Sequence, residues 1–572
     1  MRFFPPLSFT MADARRLVTR ASRRPLNHRG AALTPVLLPA LLVGLLLAMT
    51  LACGSSNGGS GVDDTTGNTP VNGGNGEGGA TEGDGDPEGD VGGDIGDDTG
   101  DDTGSDAEGD TGEDNGENQV WTRPEINSLD PNGPEIAALR EGVRVMKQRD
   151  PADPTSWIYQ ANIHGVAASA GEAPAWRTCQ HRSFYFLSWH RIYLYYFERI
   201  LRDASGDDSL ALPFWDYERG NASRALPLPL RQPASADNPL FETQRRQGIN
   251  AGALIPESWI DSSETLLKPD FTAFPPGDSS RDFFGGAFMA QPAHFGIGSG
   301  ALELQPHNNV HNAVGGLMSD PDTAARDIVF WLHHCNIDRL WEAWLQDPEH
   351  QNPIDDPVWL DTEFTFFDET AAQVVLTGRE ILDTASQLSY RYPDLEPGQG
   401  GSADDGGDPV PETPTHQPPS EPQIIAESEE DEYRLAAAPL SVAVEFTNLE
   451  TPFDATALEL VIEGLEISQG GEVYQVYLNL PADEEPSPDS LHFVGNLSLF
   501  GHAGHGPPEN RVYDVGELAQ RLEASGAFVD GLEVTIIRGT LEAPPGAEPI
   551  LEAPVSNATR ITFERVSLRV KP

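Results

Sequence analysis

The chain has 572 residues, with 36 Lys and Arg against 90 Asp and Glu and a formal charge of −54. That length admits more than one domain, and a charge of this sign disfavours a nucleic-acid partner, whose phosphates it would repel. Three cysteines in the whole chain exclude a disulfide scaffold.

Residues 1–53 read as an export leader. Arginines are dense from Arg15 to Arg29, an apolar run follows from Ala31 to Leu51, and the segment ends in Ala52-Cys53. A charged segment, an apolar core and a small residue at the cut are signal-peptide features. About 20 apolar residues could also form a membrane anchor. Thr50-Leu51-Ala52-Cys53 resembles a bacterial lipobox, with Thr50 in place of the usual Leu. That resemblance implies lipidation of Cys53 as the mature N-terminus. With Gly54 next, it implies an outer-membrane lipoprotein facing the periplasm or the cell surface, tethered to the membrane through its N-terminal lipid.

Residues 54–120 are mostly Gly, Asp, Glu, Thr and Asn, with few apolar residues and no Lys or Arg. Such a segment cannot bury enough apolar surface to offset its ordering entropy, so it reads as a disordered, self-repelling tether. It also inflates the net charge, which therefore says little about the folded part. Repeats such as GDDTGDDTG read as solvated spacer rather than calcium loops.

Residues 121–397 read as one large, mainly helical domain, and 398–437 as a linker of Gly, Pro, Asp, Glu and Ser. Residues 438–572 change period. SVAVEF, LELVIEGLEI, EVYQVYLNL, HFVGNLSLF, LEVTII and ITFERVSLRV are β-rich runs between turn residues. They predict an all-β sandwich domain.

The helical domain holds six candidate imidazole ligands in two blocks. His164, His181 and His190 form the first. His307 and His311, with one of the adjacent His333 and His334, form the second. Phe186, Trp189, His190, Tyr193, Leu194, Phe197 and Ile200 recur at three- and four-residue steps, which puts His190 on an inward helix face. His307 and His311 lie one turn apart on one face, and His334, Asp338 and Trp341 repeat the arrangement. Histidines on facing helices are how bundles build metal sites, so a four-helix bundle around a dinuclear centre is expected. Imidazole suits copper, zinc and iron, and two facing three-histidine sites point to copper and dioxygen. The residues between His307 and His311 are Asn308, Asn309 and Val310, so the HExxH of zinc proteases is absent. His294, His502 and His505 fall outside the pattern and read as structural or exposed.

These motifs carry a family resemblance. FLSWHRIYL around His190, HNNVH at His307, Gly315-Gly316 and DIVFWLHHCNIDRLW resemble the type-3 copper proteins: tyrosinases, catechol (polyphenol) oxidases and haemocyanins. The match runs from about Arg123 to Tyr392. Ile328 replaces the family's usual Pro. The resemblance implies two copper ions, one held by His164, His181 and His190 and one by His307, His311 and His334. His334 is the family's choice from the adjacent pair, and it shares a helix face with Asp338. Cys179-Gln180-His181 resembles the segment in which a thioether joins cysteine to histidine, whereas Cys335 reads as simply buried. Tyr390-Arg391-Tyr392 resembles the tyrosine motif that closes the domain against an arginine such as Arg123.

The activity implied is dioxygen-dependent oxidation of phenols and o-diphenols to o-quinones, with small phenols and dioxygen as partners. Monophenol hydroxylation needs a proton acceptor, because a phenol has a pKa of about 10. Asn308 matches the family residue that helps to hold the accepting water, and Glu303, four residues before His307, is the candidate carboxylate. Phe330 should pack over the site, and residues 317–323 should shape its entrance. The β runs resemble the domain that covers the site in latent oxidases, so cleavage in the flexible linker would activate the enzyme. The alternatives are a catechol or o-aminophenol oxidase without hydroxylase activity and a haemocyanin-like oxygen binder.

Overall fold

The computed structural model describes residues 119–166, 173–272, 283–395, 422–429, 432–446, 455–467, 471–498, 500, 508–527, 532–548, 550 and 561–571. The leader, Cys53, nearly all of the tether, His502 and His505 lie outside the described residues. Among the described residues no helix is long and apolar enough to cross a membrane.

Among the described residues, the longer helices of the first domain are α1 (Pro134–Gln148), α2 (Trp157–His164), α3 (Phe186–Ser205), α4 (Asn308–Val314) and α5 (Ile328–Trp344). α2 starts where the Ser156 hydroxyl accepts the Tyr159 N–H, a standard N-cap. α3 ends at Gly206, whose φ of 70° is the left-handed stop that glycine adopts without strain. α5 starts at Ile328 because Asp327 caps it. The Asp327 carboxylate accepts the Val329 N–H and two Arg245 N–H groups at 2.7 Å each.

One turn after His334, Asp338 anchors a buried polar cluster. It accepts from Arg191 at 2.6 Å, Tyr390 at 2.7 Å and Tyr392 at 2.6 Å. Arg123 donates to Tyr392 at 3.0 Å, pairs with Glu198 at 2.7 Å and lies 3.6 Å above the Tyr390 ring. Short strands β1 (Trp121–Thr122) and β4 (Tyr390–Arg391) pair in parallel, which brings the two ends of the domain together. Between them in sequence, β2 (Phe364–Phe367) and β3 (Gln373–Leu376) form an antiparallel ribbon. Phe366 on β2 packs on Trp189 and Tyr193 of α3.

Among the described residues the second domain has ten strands and one α-helix. The strands are β5 (Gln423–Ser428), β6 (Tyr433–Leu435), β7 (Leu440–Phe446), β8 (Leu458–Ile467), β9 (Val473–Leu478), β10 (Phe493–Ser498), β11 (Glu509–Asp514), β12 (Leu532–Arg538), β13 (Ile561–Phe563) and β14 (Arg565–Val570). They connect in the order β10-β9-β12-β7-β5-β14-β8-β13-β6, and β11 pairs with β8. Two features depart from the sequence reading. β5 and β6 lie inside the expected linker 398–437, so the sheet begins at Gln423. Their short apolar stretches were masked by the acidic residues around them. The helix α6 (Gly516–Ser525) was not foreseen. Its Leu518, Ala519 and Leu522 pack into the sheet's own core.

Each domain has a separate core. The second is formed wholly within the β domain, whereas the first borrows Val473, Phe500 and Leu541 from it. The domains meet through a backbone pairing between Leu254 and Glu542, with both hydrogen bonds at 2.9 Å. The Asn312 amide also donates to Ser498 Oγ at 2.9 Å and the Asn496 amide to Ser258 O at 2.6 Å.

Candidate metal centre

All six candidate histidines are at most 3% exposed. His164 closes α2, His190 lies on α3, His311 on α4 and His334 on α5, while His181 comes from an extended segment bridged to Phe295. His307 sits at the junction preceding α4, where Pro306 and an extended Gln305 (φ −150°, ψ 124°) interrupt the helix. Donor atoms of His307, His311 and His334 lie within 4.8 Å of one another. The two sets face each other, since the His190 and His334 rings stack at 4.4 Å and 11°.

The outer ring nitrogens show what the inner ones can do. Nδ1 of His164 meets Pro321 O at 2.9 Å, that of His190 meets Phe186 O at 2.7 Å and that of His311 meets Met318 O at 2.7 Å. A carbonyl oxygen only accepts, so each Nδ1 carries the proton and each Nε2 keeps a lone pair. Nδ1 of His307 faces the Asn308 side-chain oxygen at 2.9 Å in the same way. The Nε2 atoms of His164, His181, His190 and His307 are buried with no hydrogen-bond partner among the described residues. Nε2 of His311 and of His334 are 3.3 Å apart. Two imidazoles bound to one ion at about 2.0 Å, at a tetrahedral angle, would have nitrogens about that far apart. Burial lowers the pKa of His164 and His307 to about 3 and those of the other four well below the usual value. Neutral imidazoles with converging lone pairs are the form that binds a metal, so the residues fit two ions.

In the first set the closest donor group is His164, His181 and Cys179 rather than His190. The His190 ring lies 5.6 Å from His164 and 5.3 Å from His181. Its occupied Nδ1 and buried, partnerless Nε2 still make it a better ligand than the thiol, which burial holds well above its usual pKa. Cys179 Sγ stands 3.4 Å from Nδ1 of His181 and 3.2 Å from Nδ1 of the half-buried His294. His333 is buried beside His307, 5.3 Å between ring centres, and outside the closest donor group.

Glu303 is 2% exposed, and its carboxylate accepts the Arg182 N–H at 3.0 Å with both oxygens. Burial pushes its pKa up to about 8. Phe330 lies 4.2 Å from the His334 ring and 4.7 Å from that of His164. Residues 317–323, read as an entrance, also grip the histidines through Met318 O and Pro321 O. Gly165 permits this, because a Cβ there would lie 2.3 Å from Pro321 O. Phe500 of the β domain was missed. Its ring stacks on His311 at 3.9 Å and 21°, and lies 5.5 Å from His307 and 6.0 Å from His181. A lone aromatic in a loop carries no periodic signal.

Residues 154–259 and 280–347 match the common central domain of tyrosinase, and residues 353–397 match the polyphenol oxidase middle domain. A tyrosinase of Hahella sp. is 37% identical over 280 residues, which cover 44% of this chain and 59% of that protein. A latent-form chloroplastic polyphenol oxidase of Prunus armeniaca is 29% identical, over 45% of this chain and 46% of its own. The chain thus spans about half the length of these curated relatives. The fold resembles that of latent apple tyrosinase, with a TM-score of 0.53 at 20% identity, over 79% of this chain and 98% of that one. These matches agree with the histidine geometry: the helical domain carries the common central domain of tyrosinase and the polyphenol oxidase middle domain.

Proposed function

We propose that this chain oxidises o-diphenols to o-quinones with dioxygen at two copper ions, one held by His164, His181 and His190 and the other by His307, His311 and His334. The supporting observation is the set of buried, neutral imidazoles whose lone pairs converge while carbonyl oxygens hold the outer nitrogens. Such outer contacts orient a ligand and raise its basicity. Bound copper supplies the dioxygen activation and accepts the substrate's electrons. Each diol gives up two electrons and two protons, and two diols reduce one dioxygen to two waters. Phe330 forms an apolar wall beside the reacting ring.

Monophenol hydroxylation at the same site is the more demanding reaction. The proton of a phenol must leave near neutral pH. In this reading the buried Glu303 and Asn308, which follows His307, are the groups that hold the accepting water. Asn308 also uses its amide oxygen on His307, which keeps a diphenol-only oxidase as the second reading. Cys179 is close enough to His181 for a thioether, which would fix the ring of one ligand. Mass spectrometry of the Cys179 peptide would then find it two hydrogens lighter and its thiol unreactive; an ordinary alkylatable thiol would refute the link.

The chain is latent in this reading, because Phe500 occupies the face of His311 that a substrate ring needs. The lipobox-like Cys53 makes it an exported, lipid-anchored protein, and loss of acyl labelling in Cys53→Ala would support that. Diphenol oxidation should rise when the chain is cut in 396–421. A full-length chain as fast as the cut one would overturn latency, and a chain that retains no copper after reconstitution would overturn the function.

A further inference from the structure

A cavity of about 480 Å³ lies apart from the histidines, where β1 and β4 join the two ends of the catalytic domain. Trp121 of β1, Ser389, Glu369 of the β2–β3 turn, and Tyr195, Arg199 and Arg202 of α3 line it. Arg199 and Arg202 stand nine and twelve residues after His190 on α3, about 14 and 18 Å further along the helix axis. Among the described residues the whole lining falls within 121–390, so the β domain contributes nothing to it.

The lining is polar, but most of its charges are matched. Glu198 is held by Arg123 at 2.7 Å and Arg202 at 2.9 Å, Asp203 by Arg149 at 3.1 Å and Glu369 by Arg199 at 2.7 Å. These are three of the four carboxylates in the lining, so a charged ligand would meet few unopposed charges. Hydrogen-bonding capacity is left over. Glu369 uses Oε1 on Arg199, whereas its Oε2 is buried with no hydrogen-bond partner among the described residues. A buried carboxylate oxygen without a donor is costly, and a ligand that brings a donor relieves it. Arg199 also donates to the Tyr195 hydroxyl at 3.3 Å, and Arg202 lies 3.9 Å over the Trp121 ring. The cavity thus sets an acceptor, guanidinium donors and a hydroxyl beside two aromatic rings.

We infer that this cavity binds a neutral, hydroxyl-rich ligand of the saccharide class, a sugar unit of one or two rings. A sugar hydroxyl can donate to Glu369 Oε2 and accept from Arg199 in the same contact, and hydrogen bonds to ionised partners are the stronger kind. Trp121 and Tyr195 supply apolar ring faces for the C–H side of the sugar. The volume lies within the range of small-molecule sites. A glycan held here would dock the chain on a carbohydrate surface and leave the histidines, further back along α3, to their own substrate. No metal ligand lines the cavity, so the inference stands apart from the oxidase reading.

The test passes the full chain over an array of defined oligosaccharides. The strongest is then titrated in solution by calorimetry, beside spermidine as a cation and phenylacetate as an anion. At least one oligosaccharide should bind, both on the array and free, and neither charged probe should match it. Glu369→Gln should weaken that binding roughly tenfold, because a neutral amide replaces the charged acceptor. Trp121→Ala should weaken it as well, through loss of the ring face. Wild-type melting temperatures in the two variants separate lost binding from lost folding, and either variant alone suffices if the other unfolds. No bound oligosaccharide, tighter binding of a charged probe, or wild-type affinity in a folded variant overturns the inference. None of these outcomes touches the oxidase reading.

Discussion

Replacing Phe500 by alanine in the full chain tests the closed state most sharply. The ring is 3% exposed and joins the core of the catalytic domain rather than that of its own. Full burial of a phenylalanine side chain stabilises by up to about 3 kcal/mol. Stacking on His311 adds up to about 1 kcal/mol more. Phe500→Ala should therefore weaken docking by roughly 3–4 kcal/mol, a factor of more than one hundred in the ratio of open to closed chains. Removing the ring also uncovers the face of His311 even while the domains stay together. Both effects raise diphenol oxidation by the uncut chain toward the rate of the cut chain, followed by quinone absorbance. An uncut variant that stays at the wild-type rate, while cutting that same variant still accelerates it, would refute Phe500 as the block.

Asn308→Ala should lower monophenol oxidation about tenfold or more relative to diphenol oxidation; unchanged monophenol turnover would remove Asn308 from the proton path. Glu303 gives a pH signature in the metal-free chain. Its pKa rises to about 8 on folding, so folding favours the protonated acid. That stability is fully present below about pH 4.5 and is lost as pH rises through 8, by at most about 5 kcal/mol. Denaturant titrations at pH 5 to 9 should show this slope on top of other titrations, and Glu303→Gln should remove that part of it. Asp338→Asn should destabilise the chain by about 3–5 kcal/mol, because it leaves Arg123 and Arg191 buried without their shared anion; an unchanged melting temperature would contradict this.

The sequence was most legible where chemistry rides on helical periodicity. His190 among its aromatics, His307 with His311, and His334 with Asp338 all lie where three- and four-residue spacing put them. It was less legible where the chain leaves regular structure. Glu303 was chosen for a four-residue step to His307, yet Pro306 and extended Gln305 break that turn, and it is the Arg182 N–H that holds its carboxylate. Pro321 O and Met318 O orient His164 and His311, but a backbone carbonyl leaves no residue-type signal. The cover was legible as a β domain, but its docking was not. Phe500 reaches His311 across a long sequence separation, where spacing says nothing about contact.

The proposed chemistry turns on the identity and number of the metals, so copper content of the purified full chain is its most direct measurement. It predicts two copper ions per chain after reconstitution, with both His190→Ala and His311→Ala reducing that content. Copper near zero, or two coppers that survive both substitutions, would contradict it.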